Sequence, residues 1–237
     1  MGVWHLSHTK MYDRGRGLCS KIDGVATEKR GESMGRFFRV IGSEKKLVGL
    51  AALIFVISGI AGYAASAAIQ QMLKDSAFWS QLREIARQIQ QDPSFFHIFG
   101  TIFLNNLRAS VSMIGLGIFF GVFPIAALVT NGLMLGVVLG DTSAATGANP
   151  LVVFATSILP HGILELPAVI IAAAYGIRLG IVFSRWVVSW VSPTLRERSR
   201  SEWLSLFNRI PVVIGGIIVL LILAAVIESG LIVWMAK

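Results

Sequence analysis

The stretch LVVFATSILPHGILELPAVIIAAAYGIRLGIVF, residues 151–183, decides the fold. At its centre stands Pro160-His161-Gly162-Ile163-Leu164-Glu165-Leu166-Pro167, flanked on both sides by apolar residues. A run of this length and hydropathy belongs in lipid, because about 20 apolar residues suffice to cross the hydrocarbon core. Inside lipid a histidine and a carboxylate one helical turn apart are expensive. One charged side chain at mid-bilayer costs about 2.5–3.5 kcal/mol on insertion scales. The octapeptide therefore marks both the class of fold and the first place to look for function.

Composition agrees. The 237 residues are 54% hydrophobic and 14% charged, against about 25% charged in soluble domains. Several apolar runs follow one another, so the fold class expected is all-α: a polytopic transmembrane bundle of about five spans. The runs cover about 47–69, 99–121, 125–141, 151–183 and 211–234. The fourth contains two prolines and is expected to be discontinuous. Because Pro160 lacks an N–H donor, the helix is expected to restart near His161, at the positive end of a half-helix dipole. Residues 74–92 alternate an apolar face (Phe78, Leu82, Ile85, Ile89) with a polar one, which predicts an amphipathic helix on the outer surface. Residues 192–208 read as a basic loop. Residues 1–33 read as a disordered basic extension or the product of an upstream start, and residues 34–237 as the transmembrane domain. The first apolar run exceeds a signal-peptide h-region, so it is expected to remain as an anchor.

The net charge of +8 is clustered. Residues 1–46 hold ten Lys/Arg against five acids, and residues 178–210 hold six against two. Nucleic acid is not the expected partner, because charge beside membrane spans sets topology. Residues 70–96 carry three basic and three acidic residues, and 141–150 carry no basic residue. The bias predicts a multi-pass protein of the cell (plasma) membrane with the N-terminus cytoplasmic and the C-terminus outside. The inner basic segments are expected to meet anionic lipid.

Glycines carry the packing signal. Gly132, Gly136 and Gly140 recur every four residues, as do the pairs Gly117/Gly121 and Gly176/Gly180. Such stripes let helix backbones approach closely where lipid supplies no hydrophobic drive. They predict either tight packing within the chain or the face of a homodimer. The polar residues within the spans are Asn105, Asn106, Arg108, Asn131, His161, Glu165 and Glu228. They are expected to form an intramembrane cluster, with Arg108 answering Glu165 or Glu228.

Enzyme chemistry finds little support. HExxH is absent, and no Gly-rich nucleophile turn surrounds Ser157. Besides His161 the histidines are His5, His8 and His97, which do not complete a zinc set of three or four ligands. The single cysteine, Cys19, excludes an internal disulfide and a Cys-based zinc site. Neither a metal nor another cofactor is expected.

Four motifs in order are Phe103-Leu104-Asn105-Asn106, Thr130-Asn131-Gly132-Leu133-Met134-Leu135-Gly136, the Pro160–Pro167 octapeptide, and Ala174-Tyr175-Gly176-Ile177-Arg178-Leu179-Gly180. Their order and spacing resemble the stage II sporulation protein M family, over roughly residues 40–235. The resemblance implies a polytopic helical membrane protein. Its sporulating members serve as anchor or scaffold for a peptidoglycan-degrading partner pair, and its archaeal members lack such peptidoglycan. It implies no catalytic residues. The expected function is accordingly a non-enzymatic membrane scaffold that recruits other membrane or envelope proteins or shapes the membrane. The alternative is a small-ion or solute channel or transporter built on the buried His/Glu/Arg/Asn cluster.

Overall fold

The computed structural model describes residues 34–73, 80, 84, 87, 94–190 and 193–235, except the side chains of 73, 157, 158, 161, 193–195, 198 and 235. The expected disordered segment 1–33 and most of the expected amphipathic helix 74–92 lie outside these residues. Contacts divide the chain into Met1–Ser43 and Glu44–Lys237. In the first unit, residues 34–43 are helical, with Phe37 and Phe38 packed edge to face at 5.7 Å.

The second unit is helical over most of its described residues, with short turns between helices and no strand among them. Its elements are α1 (Lys45–Ala64), α2 (Ser66–Leu73), α3 (Phe95–Gly115), α4 (Val122–Thr146), α5 (Pro150–Val153), α6 (Leu159–Val188) and α7 (Pro193–Met235). Four helical stretches are long and apolar enough to cross a membrane: Lys45–Ala64, Val122–Thr146, Gly162–Val188 and Ser199–Trp234. The protein is a membrane-embedded helical bundle. At 21 residues α3 matches the bilayer thickness, but Asn105, Asn106 and Arg108 keep it out of that apolar set.

Helix α6 is the hub. It packs against α1, α3, α4 and α7, and residues 171–177 are all buried. Ala172, Ala173 and Ala174 are small enough to bring the neighbours close, and Tyr175 fills the space they leave. On the α3 side, Ile98 and Ile102 pack with Ala225 of α7, and Phe99, Phe103, Ile232 and Val233 close around them. Within α3, Phe95, Phe99 and Phe103 stack in sequence at 6.3 and 5.7 Å.

The glycine stripes are filled from within the chain. A methyl group added at Gly132 would lie 2.6 Å from the Phe55 carbonyl of α1, and one at Gly140 would lie 2.5 Å from Ser66 Oγ. At Gly136 it would strike the Gly59 backbone, and at Gly62 the Leu133 backbone. Contact positions rise together along both helices, so α1 and α4 run parallel with their backbones nearly touching. Gly117 meets the Gly176 backbone, Gly176 meets Pro124, and Gly180 meets the turn at Phe120 and Gly121. That turn joins α3 to α4 after a short 3-10 segment, Leu116–Ile118. It places two successive residues in the left-handed region, Phe120 at φ 56° and Gly121 at φ 75°. A non-glycine residue is uncommon there, and Phe120 is braced by Phe183 of α6 at 5.5 Å. Of the two readings of the stripes, packing within the chain accounts for these glycines; a homodimer would have to use another surface.

Two expectations about α6 and α7 are corrected. The fourth segment is not discontinuous: α5 continues through a π-helical turn, Phe154–Ile158, into α6. The wider turn re-spaces the carbonyls just before Pro160, which has no N–H to offer them. Leu159 stays helical at φ −60°, ψ −38°, so no half-helix N-terminus forms at His161. The segment expected as a loop over 192–208 is helical from Pro193 onward. Helix α7 is continuous for 43 residues with Pro211 inside it, about 65 Å long. Polarity alone does not stop a helix, and Pro193 occupies the first helical position, where its missing N–H costs nothing. The end of α6 and the start of α7 thus form an antiparallel hairpin. Arg185 pairs with Glu202 at 2.7 Å, while Val182, Ser189, Ser199 and Leu206 are buried.

Candidate functional site

Two groups of polar residues stand out, at different depths. The first was not singled out from the sequence. Glu44, immediately before α1, lies 3.4 Å from Arg178 Nε of α6 and 3.2 Å from Arg209 Nη1 of α7. Its side chain is only 12% exposed, against 25% and 35% for the arginines. One carboxylate therefore ties three helices together at the end of the bundle where α4 begins. A Cβ on Gly121, at the start of α4, would lie 3.4 Å from Ile177 Cα, one residue from Arg178. The only sequence signal was the arginine inside the fourth motif, Gly176-Ile177-Arg178-Leu179-Gly180.

The second group contains the expected intramembrane residues, taken up the bundle from that end. With a rise of 1.5 Å per residue, Arg108 stands about 10 Å from the end of α3 and Asn131 about 15 Å along α4. Glu165 stands about 20 Å beyond Arg178, and Glu228 about 28 Å beyond Arg209. Arg108, Asn131 and Glu165 occupy the middle layers, with Glu228 close to the far rim. Arg108 reaches neither expected carboxylate. It makes no ion pair or hydrogen bond among the described residues and is exposed. Its separation from Glu228 follows from depth. Ile98 and Ile102, at the start of α3, lie level with Ala225 and Val233, leaving Arg108 well below Glu228.

Asn105 is exposed and Asn106 half-buried, and Asn105 Nδ2 donates to Asn106 Oδ1 at 3.5 Å. Asn131, also exposed, donates to the Ala127 carbonyl of its own helix at 2.8 Å. Glu165 is half-buried and engaged by a partner, and Glu228 is half-buried. His161 lies on α6, with its side chain outside the described residues.

The arrangement on α3 is more telling than any single contact. Thr101, Asn105, Arg108 and Ser112 recur at intervals of four, three and four, which puts them on one helix face. Asn105, Arg108 and Ser112 are exposed, whereas Ser110, Met113 and Ile114 are buried on the other side of the helix, and Ile98 and Ile102 are buried nearer its N-terminal end. The polar residues of this helix thus look outward, away from the packed interior. Helices α3 and α4 barely touch along their length. Asn105 and Arg108 stand out in the sequence, where an inward direction is expected of them; Thr101 and Ser112 do not stand out there. Among the described residues, no group of three or more His, Cys, Asp or Glu residues is arranged to hold a metal.

A bundle of long apolar helices around a central helix, with close glycine contacts, defines a polytopic membrane protein. The chain belongs to the stage II sporulation protein M family, whose model matches residues 51–231. It is similar to the uncharacterized protein MJ0793 of Methanocaldococcus jannaschii, 30% identical over 128 residues, covering 53% of this chain and 71% of that one. It is also similar to the uncharacterized protein MJ0706 of the same organism, 26% identical over 156 residues, covering 65% of this chain and 68% of that one. No solved structure matches the chain.

Proposed function

We propose that the protein is a non-enzymatic scaffold of the plasma membrane that recruits other membrane or envelope proteins. The carrying observation is the polar face of α3, with Asn105, Arg108 and Ser112 exposed. A guanidinium left facing lipid at that depth costs several kcal/mol, so the face suits a partner that covers it. In this reading α3 is a crossing helix and the bundle has five spans. The N-terminus is cytoplasmic and the C-terminus outside, since the basic segments 1–46 and 178–210 then share the inner side. The hairpin of α6 and α7 projects on that side. Its Arg185, Arg196, Arg200 and exposed Trp186 and Trp190 suit anionic lipid headgroups.

Conduction of a small ion or solute is the second reading, and a half-buried carboxylate, Glu165, in the middle layers of the bundle favours it. Flux in proteoliposomes separates the two. A scaffold gives proton and ion permeability equal to empty liposomes, together with cross-links to specific membrane proteins in native membranes. A leak that Glu165→Ala and His161→Ala abolish would establish the channel instead.

A further inference from the structure

We propose that the exposed face of α3 binds a membrane-spanning helix of a different protein, one that presents a carboxylate to Arg108. This rests on reading α3 as a crossing helix and the protein as a scaffold.

Three observations select the occupant. First, Arg108 is an exposed cation at bilayer depth with no carboxylate against it among the described residues. An arginine in that setting is best satisfied by an acid offered from the same depth. Its Cα–Cβ bond tilts toward the helix N-terminus, which is away from the nearer rim, so reaching the headgroups works against the side chain's own direction.

Second, the rest of the face suits a helix. Asn105 and Ser112 place hydrogen-bonding groups one turn to either side of Arg108. Ala109 and Gly115 keep the surface low, and a Cβ added at Gly115 would meet nothing within 4 Å. The stripe glycines are consumed by internal contacts, whereas this one is open. Small residues beside polar ones characterise helix contacts in lipid.

Third, a second copy of the chain is a poor fit. Copies of one membrane protein share one orientation, so a symmetric pair brings together residues of equal depth. The chain's described acids along the spans are at other depths or engaged. Glu165 has a partner. Glu228 and Asp141 both stand about 18 Å farther from the basic end than Arg108. Among the described residues no acid of a second copy meets Arg108 at its depth, so the acid is assigned to another protein.

The test uses the full chain in proteoliposomes, donor-labelled at Cys19, the single cysteine. The probe is a single-span Leu/Ala peptide carrying an acceptor and one central Glu, compared with the same peptide carrying Gln. The Glu peptide is expected to half-saturate energy transfer at about tenfold lower mole fraction than the Gln peptide, the scale of one good polar contact between helices. Arg108→Met is expected to erase the difference and Arg108→Lys to keep part of it. Equal binding of the two peptides, or a difference that survives Arg108→Met, overturns the proposal. So does energy transfer between two labelled copies that Arg108→Met removes, because the occupant is then this chain itself. Arg108→Cys in a Cys19→Ser background distinguishes the levels. Modification by a membrane-impermeant maleimide means that α3 is not at bilayer depth, and the underlying reading fails with the proposal. Protection of the cysteine without peptide discrimination defeats the pairing alone.

Discussion

Glu44 Oε1 lies 3.4 Å from Arg178 Nε, joining the start of the first long helix to the central one. Arg209 reaches the same oxygen at 3.2 Å, so a single carboxylate separates two guanidinium groups. The consequence is asymmetric. Removing Glu44 leaves two cations side by side, while removing either arginine leaves one ion pair intact. Glu44→Gln is expected to lower stability by about 2 kcal/mol, and Arg178→Gln or Arg209→Gln by about 1 kcal/mol, the groups being only partly buried. Chemical denaturation of the three variants in detergent checks the order. Equal losses would mean that the arginines do not share the carboxylate.

Glycines at close backbone contacts should resist alanine, and open ones should not. Gly136→Ala drives a methyl into the Gly59 backbone, and Gly176→Ala one into Met113 and Pro124. Each is expected to cost about 1–3 kcal/mol, because a helix must shift to make room. Gly215 and Gly230 on α7 have nothing within 4 Å. Alanine there is expected to be neutral or to stabilise by up to about 1 kcal/mol through helix propensity. Thermal unfolding and yield in detergent compare the two sets.

The α6–α7 hairpin is held more by apolar contact than by its ion pair. Arg185 is half exposed, so Arg185→Ala is expected to cost less than about 1 kcal/mol, and less still at high salt. Leu206 is 3% exposed, and Leu206→Ala is expected to cost about 2–3 kcal/mol. A larger loss for the arginine would reverse this ranking.

An aromatic ladder runs from the α3–α4 turn along the hairpin: Phe120, Phe183, Trp186 and Trp190, at successive ring separations of 5.5, 5.8 and 4.9 Å. Tryptophan favours the headgroup layer. Brominated lipid is expected to quench tryptophan emission, and the quenching should fall in a Trp186→Phe, Trp190→Phe double variant. Quenching unchanged by the double substitution would place these rings in water.

Much of this architecture is legible in the residues. Long apolar runs dictate helices in lipid, and Gly132, Gly136 and Gly140 at four-residue spacing announce a close contact. What is not legible depends on partners remote in sequence. Nothing local to Glu44 names Arg209, 165 residues away. Pro160 and Pro211 look like helix breaks, but a π turn before the first and tertiary packing around the second keep both helices whole. A polar residue in an apolar run also carries no label for its direction. Arg108 was expected to face a buried acid, and only the packing of Ile98, Ile102 and Met113 shows that it faces outward.

Both the scaffold and its docking face require that the polar face of α3 lie within the bilayer. A nitroxide at Asn105→Cys, in a Cys19→Ser background in proteoliposomes, measures it directly by collision with oxygen and with a water-soluble nickel chelate. Oxygen collisions are expected to dominate, as for a site about 15 Å from the nearer end of the helix. Dominant collisions with the nickel chelate would put α3 in water and overturn the placement of its polar face in lipid.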